Sequence, residues 1–185
     1  METIIDNRVV ELIQKCEVMV QLTSKACYYW NILRLLFQMP LIFTSSIMCV
    51  LNSFDNGDGK MKIPNVVVNG VSVLLISYST SLKVVEKVDM YKNLSNEFLL
   101  LAHQIEGINP DEIDRNLINN LIEKYDKLCF TVNFEDIPTR YKLEIINKNK
   151  NKKLPLQLNG ASGLTSHSPK VILNSDLKFD GNNNV

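Results

Sequence analysis

The sequence contains few of the residue types that build metal sites and catalytic centres. It has 2 histidines and 4 cysteines among 185 residues. The cysteines form no C-x-x-C pair and have no histidine cluster nearby; they are Cys16, Cys27, Cys49 and Cys129. Because zinc sites usually need closely spaced ligand pairs, we predict no metal site. We also predict no disulfide framework, because Cys49 lies inside an apolar span and Cys16 on a helix face, and we interpret all four as apolar packing residues.

No recognisable catalytic or ligand-binding motif occurs either. Neither His103 nor His167 stands near a nucleophile and an acid in a familiar order. The segment DNGDG, 55–59, lacks the Lys-Ser/Thr pair that follows in a phosphate-binding loop. Aligned as a calcium loop, it puts Phe54 and Asn65 where carboxylates are essential. We therefore expect no enzyme activity, no cofactor and no small-molecule substrate.

Charge is balanced overall but is absent from two long windows. The 20 basic and 20 acidic side chains cancel, and no basic aromatic platform occurs, so we expect no nucleic-acid binding. No charged residue and no histidine lies between Leu35 and Phe54, or between Ile63 and Leu82. As a helix, each window rises about 30 Å, the thickness of a bilayer's hydrocarbon core. The N-terminus, 1–10, has no apolar signal-peptide core, so we expect the first window to direct insertion.

A long amphipathic helix is predicted to lead into the first window. Its stripe recurs at steps of four and three, with one polar interruption, which indicates a helix–helix packing seam. The stripe consists of Ile5, Val9, Leu12, Cys16, Met19, Thr23, Ala26, Trp30, Leu33 and Phe37. Pro40 lies early in the window, where we expect a kink or a restart of the helix.

The second window is predicted to continue without a break past Lys83. A four–three apolar pattern runs on from Val84 to Ile105, which makes this helix the expected antiparallel partner of the first seam. Gly107 should end it, and Asn109-Pro110 should begin another helix with a cap and an N1 proline. A short amphipathic piece from Tyr141 to Ile146 follows a proline-containing break.

The last part of the chain, 147–185, differs in composition from the rest. It carries six lysines and two aspartates, hence a net charge of +4, whereas residues 83–146 hold twelve acids against eight bases, hence −4. Little apolar periodicity remains, so we expect a flexible tail. Two interpretations stay open: a tail that contacts an anionic partner, and a solvated linker.

Aromatic and basic residues flank the uncharged windows. Three aromatic residues precede the first window and are interpreted as an interfacial belt, with packing in the seam as the alternative; they are Tyr28, Tyr29 and Trp30. Arg34 marks the entry to the first window and Lys83 the exit from the second. Six basic residues near the outer ends, against two in the loop, predict that both termini lie in the cytosol.

Small and polar residues distinguish the second window from the first. They are Asn69, Gly70, Ser72, Ser77, Ser79, Thr80 and Ser81. Gly70, Ser77 and Ser81 share one helix face, which favours close packing against another membrane helix. The alternative is a polar face that lines a water-filled path, in which case the chain would form an oligomeric pore.

The segments together predict an all-α membrane protein. A two-helix transmembrane hairpin extends into a cytosol-side antiparallel helical bundle and ends in the flexible tail. The predicted segments are an N-terminal amphipathic helix 1–34, span 1 at 35–54, a short lumenal loop 55–62, span 2 at 63–82, a helical module 83–146 and the basic tail 147–185. The alternative is a soluble bundle with the two windows as its core.

This layout resembles the SLATT family of two-transmembrane domains, above all the versions encoded by large double-stranded DNA viruses. The resemblance rests on the cluster 28–30, the segment Met39-Pro40-Leu41-Ile42-Phe43-Thr44-Ser45-Ser46, the span from Asn69 to Lys83, and Ile137-Pro138. It covers about residues 5–146. For viral versions it implies a structural protein of the virion's internal membrane, with other copies or capsid and membrane proteins as partners. Bacterial versions imply an oligomeric pore-forming effector instead.

Overall fold

The computed structural model describes residues 2–53, 62–108 and 114–158, and over these ranges the fold is all-α. Five α-helices follow one another: α1 (Glu2–Ser53), α2 (Lys62–Ser81), α3 (Val84–Glu106), α4 (Arg115–Thr131) and α5 (Thr139–Lys148). A 3-10 turn at Phe134–Asp136 joins α4 to α5. No strand occurs within the described ranges, so the predicted all-α class is confirmed.

The first part of α1 packs against α3 through the predicted seam. On α1 the seam residues Leu12, Cys16, Met19, Thr23, Ala26 and Trp30 are all buried. On α3 the buried residues are Val84, Val88, Tyr91, Leu94, Phe98, Leu101, Ala102 and Ile105. Thr23, the polar interruption, is tolerated because its hydroxyl donates to the carbonyl of Met19 at 2.8 Å. Val18 and Leu22, outside the predicted stripe, are also fully buried, so this stretch of α1 packs on more than one face.

Contacts at three levels fix an antiparallel register between α1 and the chain formed by α2 and α3. The Ser24 and Ser95 hydroxyl oxygens lie 2.8 Å apart. The Cys27 thiol donates to the carbonyl of Val88 at 3.7 Å. Further along α1, the rings of Phe37 and Tyr78 meet edge-on with 5.6 Å between centroids. The same pair of chain segments therefore stays in contact from the packed seam into the uncharged windows.

The α4 helix and the short α5 helix cover the remaining sides of the seam. Ile118, Leu121, Tyr125 and Cys129 are buried on α4, and Tyr141, Ile145 and Ile146 on α5. Asp114 caps α4, its side chain accepting from the backbone of Arg115 at 2.6 Å. The predicted start at Asn109-Pro110 lies outside the described residues.

The chain after α5 remains packed, which corrects the predicted beginning of the flexible tail. Leu158 is fully buried, and the side chain of Asn149 is buried with a hydrogen bond to Gln21 at 3.3 Å. Lys152 pairs with Glu17, and the backbone N–H of Lys153 donates to Gln14 at 3.1 Å. These partners lie on α1, more than a hundred residues earlier, so residues 149–158 form part of the packed structure. Residues 159–185 lie outside the described ranges.

The predicted uninterrupted helix through Lys83 is wrong, because the helix breaks at that residue. Lys83 adopts a left-handed conformation with φ 51° and ψ 39°, the only positive φ of a non-glycine residue in the described chain. Its N–H bonds to the carbonyl of Thr80 at 3.0 Å, which tightens the last turn of α2. A new ladder then begins with the Lys87 N–H on the Lys83 carbonyl. The α2 and α3 helices are therefore joined through a single strained residue.

By contrast, α1 continues through Pro40 without a restart. Pro40 lies inside the 52-residue helix, although it cannot donate to the carbonyl four residues earlier. Just after it, the Thr44 hydroxyl bonds back to the carbonyl of Pro40 at 2.8 Å. Apart from Lys62, which begins α2, the predicted loop 55–62 lies outside the described residues.

Candidate membrane-facing surface

Two helical stretches, Asn7–Val50 and Ile63–Glu106, are long and apolar enough to cross a membrane by length and composition. Almost no residue in the most apolar part of either stretch is buried. Large side chains such as Leu36, Val66 and Leu74 are 63%, 71% and 70% exposed. Soluble monomers rarely present continuous apolar patches of this size, because water does not stabilise them. The apolar windows are therefore not the core of the chain as it folds alone.

One side of α2 faces α1. The half-buried positions of α2 recur at steps of three and four: Asn65, Val68, Ser72, Leu75, Ser79 and Leu82. On α1 the corresponding residues are Phe37 and Thr44, both half-buried, and Met48, which is buried. This heptad spacing is typical of two helices that pack along their length.

The predicted small and polar face of α2 divides between two sides of the helix. Ser72 and Ser79 are half-buried on the side that contacts α1. The other five predicted residues are exposed: Asn69, Gly70, Ser77, Thr80 and Ser81. A Cβ added to Gly70 would meet nothing within 4 Å, so none of the described helices approaches it closely. The polar residues predicted to line a pore therefore do not all lie on one exposed face, and the pore stays a prediction.

The three aromatic residues before the first window have different surroundings. Tyr28 is 60% exposed, as the predicted interfacial belt requires. Tyr29 is half-buried and meets the rings of Trp30 and Tyr141 at centroid distances of 5.3 and 6.1 Å. Trp30 is only 7% exposed. Tyr29 and Trp30 thus pack between helices, as the alternative interpretation predicted for a residue on the seam, and only Tyr28 stands free on the surface.

Trp30 lies within a polar network that the sequence analysis missed. The Lys87 ammonium stands 4.3 Å from the Trp30 ring centroid and 2.8 Å from a carboxylate oxygen of Asp136. Both partners of this ion pair are about four-fifths buried, so water screens it less than a surface pair. Nearby, the Tyr91 hydroxyl donates to the carbonyl of Asn133 at 2.6 Å. The network fixes the 3-10 turn against α1 and α3 at the start of the uncharged windows.

Arg34 lies immediately before the first uncharged window, and Lys83 lies immediately after the second. Arg34 is half-buried and Lys83 is exposed. Two buried side-chain donors, Trp30 Nε1 and Arg34 Nε, have no hydrogen-bond partner within the ranges that the structure describes. We call Trp30, Arg34, Lys83 and Lys87 the border cluster, since all four lie next to the exposed apolar surface. Trp30, Arg34 and Lys83 were predicted individually as membrane-interface residues, whereas the contacts of Lys87 and the break at Lys83 were not predicted.

Burial restricts the chemistry of three of the four cysteines, whereas Cys49, which was expected to be a packing residue, is exposed. Desolvation raises the pKa of Cys16 to about 12 and that of Cys129 to about 11, and it also raises the pKa of the half-buried Cys27. Their thiols are therefore protonated and weakly nucleophilic at neutral pH. Within the ranges that the structure describes, no three metal-ligating side chains of His, Cys, Asp or Glu converge on one point.

Comparisons with protein-family models, with curated proteins and with solved structures gave no match. The functional argument therefore rests on the chemistry of this chain, and the virion setting proposed below rests on the sequence resemblance to the SLATT family. Its strongest features are the exposed apolar windows, the packed helices beside them and the border cluster between the two.

Proposed function

We propose that the chain is a two-pass integral membrane protein with a structural, non-enzymatic role. The observation that carries the proposal is the exposed apolar surface of α1 and α2, directly beside packed helices that bury their own apolar residues. Transfer of apolar surface out of water contributes about 25 cal/mol per Å². A bilayer covers such a surface without a protein partner, so insertion is the simplest way to remove it from water.

The helices that would stand outside the bilayer extend the predicted helical module beyond 83–146. From here on, the helical module comprises 8–34 of α1 with α3, α4, α5 and the chain to Leu158. Core packing continues from α1 into all of these elements. Because α1 runs unbroken for 52 residues, about 78 Å at 1.5 Å per residue, it belongs both to the module and to the first span. A force on the module would therefore reach the membrane span through one continuous helix, as an anchor requires.

The proposed partner of the module is a protein layer next to the membrane. In the setting that the SLATT resemblance implies, the membrane is the internal membrane of a large DNA virus particle and the layer is its capsid shell. The antiparallel contacts of α1 with α2 and α3 support a hairpin whose two ends emerge on one side. The excess of basic residues at these ends supports a cytosolic location for both termini.

Carbonate extraction combined with protease protection tests membrane insertion and topology. Membranes from cells that express a C-terminally tagged chain are washed at alkaline pH, and intact vesicles are then treated with protease. We expect the chain to stay with the lipid and the tag to be digested from outside. Extraction into the supernatant would refute the proposal, and a protected tag would reverse the proposed orientation.

A second experiment tests the structural role separately from insertion. Purified particles that contain the chain are stripped of lipid with mild detergent and sedimented. An anchor that binds the protein layer should sediment with it in a defined ratio, whereas a protein held by lipid alone should leave with the detergent. Complete loss from the particle fraction would contradict anchoring while leaving membrane insertion untouched.

A further inference from the structure

Two cations of the border cluster lie at the same level on neighbouring helices. Contacts on either side establish this: Trp30 with Lys87, and Phe37 with Tyr78. Because the helices run antiparallel, Arg34, which lies between Trp30 and Phe37, is level with Leu82 and Lys83. Arg34 follows Trp30 by four residues, so both side chains lie on the seam side of α1.

Neither of these two cations is neutralised by a close partner. Arg34 has no ion pair among the described residues. Lys83 reaches Glu86 at 3.8 Å, but both side chains are about 70% exposed, so this pair is weak. Lys87 differs, because Asp136 holds it at 2.8 Å. Arg34 and Lys83 therefore carry uncompensated positive charge at the level where the apolar surface begins.

The border cluster also contains hydrogen-bond donors that have no acceptor in the described parts of the chain. Trp30 is more than nine-tenths buried, yet its Nε1 finds no acceptor among the described residues, and neither does the buried Nε of Arg34. An indole N–H and a guanidinium can only donate. Buried polar groups without partners are uncommon in folded proteins. Three residues therefore suit the cluster to an anionic acceptor: Trp30 and Arg34 offer unpaired donors, and Arg34 and Lys83 carry the uncompensated charge.

The geometry points to a binding site for a phosphate group at the border cluster, supplied by the headgroup of an anionic lipid. A guanidinium matches two phosphate oxygens with its fork of donors, and an ammonium adds a compact charge. The level of the site, at the ends of both uncharged windows, is the level of the headgroups if the proposed insertion is correct, and the inference rests on that insertion. Phosphatidylcholine carries the same phosphate, but its own choline cation competes with the protein's cations.

The tryptophan at the site provides a direct measurement, since Trp30 is the only tryptophan in the chain. The full chain is reconstituted in phosphatidylcholine vesicles that contain a tenth of either brominated phosphatidylglycerol or brominated phosphatidylcholine. Bromine quenches indole emission at short range. We expect markedly stronger quenching by the anionic lipid, saturating as its fraction rises. Equal quenching by the two lipids would overturn the inference.

Matched charge variants separate a site from general attraction to the surface. Each cation near an anionic surface strengthens binding about fivefold, so Arg34→Gln and Lys83→Gln should each weaken the apparent affinity for phosphatidylglycerol by roughly that factor. Lys92→Gln is the control, because Lys92 is an exposed cation on α3, about 13 Å further along the helix. Arg34→Lys should keep part of the affinity. An equal loss in Lys92→Gln would refute a local site.

The remaining controls separate the source of the phosphate and the role of insertion. Millimolar inorganic phosphate is added to vesicles of phosphatidylcholine with the brominated anionic lipid; if it relieves quenching, the phosphate site stands and its ligand is soluble. No effect of free phosphate together with selective quenching assigns the ligand to the lipid. Flotation with pure phosphatidylcholine vesicles tests insertion by itself. A chain that floats but shows no lipid selectivity refutes the site alone, and a chain that does not float refutes the proposed function.

Discussion

A charge placed in the middle of the second apolar window gives the sharpest test of where α2 resides. Leu74 is 70% exposed and lies near the centre of the window from Ile63 to Leu82. Its replacement by arginine would put a cation at the middle of the bilayer. On insertion scales an arginine there costs about 2.5–3.5 kcal/mol, and the lost leucine contributed about 0.5 kcal/mol. The total of roughly 3–4 kcal/mol corresponds to a shift of at least a hundredfold in the insertion equilibrium.

The chain offers a closely matched control on the same helical stretch. Leu100 is 66% exposed on α3, within the helical module. Leu100→Arg makes the same chemical change at nearly the same exposure, but on a surface that the proposal leaves in water. Exposed substitutions away from special features usually change stability by less than about 0.5 kcal/mol. The two variants therefore differ only in the solvent that the proposal assigns to each site.

The assay is the fraction of chain that resists carbonate extraction, measured for the parent and both variants at equal expression. We expect Leu74→Arg to lower the resistant fraction strongly and Leu100→Arg to leave it unchanged. Circular dichroism of the module in detergent checks that both variants still fold. If the two variants remain equally resistant, or if both become equally extractable, the apolar window of α2 does not contact the hydrocarbon core and the reasoning fails.

Three further predictions concern the helical module and its junction with α2. Lys83→Gly should raise the free energy of unfolding in detergent by about 0.5–1 kcal/mol, because glycine adopts φ 51° without a Cβ penalty. Lys83→Val should lower it, and a valine variant more stable than the glycine variant would contradict the left-handed break. Leu158→Ala should cost about 2–5 kcal/mol in the same measurement, whereas the exposed neighbour Leu156→Ala should cost under about 0.5 kcal/mol; equal effects would refute the packed tail segment. At pH 8 a thiol reagent should label Cys16 and Cys129 only after unfolding, and rapid labelling of the folded protein would be the contrary result. The free energy of unfolding should also fall as pH rises from about 9 towards 12, because thiols whose folded pKa is raised ionise first in the unfolded chain.

The parts of the fold that local pattern determines were predictable from the sequence. Helical periodicity and the absence of charge are properties of short windows, and they located the seam around Met19 and Ala26 as well as both apolar helices. Trp30 was assigned to an aromatic belt because its neighbours are tyrosines, although its position on the stripe already indicated packing. At Trp30 the apolar stripe, which repeats along the whole helix, was a better guide than the short aromatic cluster.

The parts that depend on distant contacts or on single dihedral angles were not predictable. Residues 149–158 look like a polar linker, because their packing partners, Gln14, Glu17 and Gln21, lie on α1. A left-handed lysine has no sequence signature, since glycine or asparagine is the usual residue there. The border cluster combines both difficulties. Arg34 and Lys83 come to one level only because α2 runs back alongside α1 in a particular register, and no spacing along the chain encodes that.

If the chain is inserted as proposed, the break at Lys83 and the continuity of α1 give the two connections between module and membrane different mechanical roles. The α1 helix is continuous from Glu2 to Ser53, although Pro40 donates no backbone hydrogen bond, so bending between the module and the first span would disrupt packed turns. The α2–α3 connection can change direction through two dihedral angles of one residue. The Lys87–Asp136 pair and the Trp30 ring hold α3 against α1 immediately beyond that residue. In the proposed membrane protein, relative movement of the two spans would therefore be absorbed at Lys83, at the level of Arg34, while the module keeps its orientation on α1. An anchor of this kind would transmit force through one helix and let the other adjust to the bilayer.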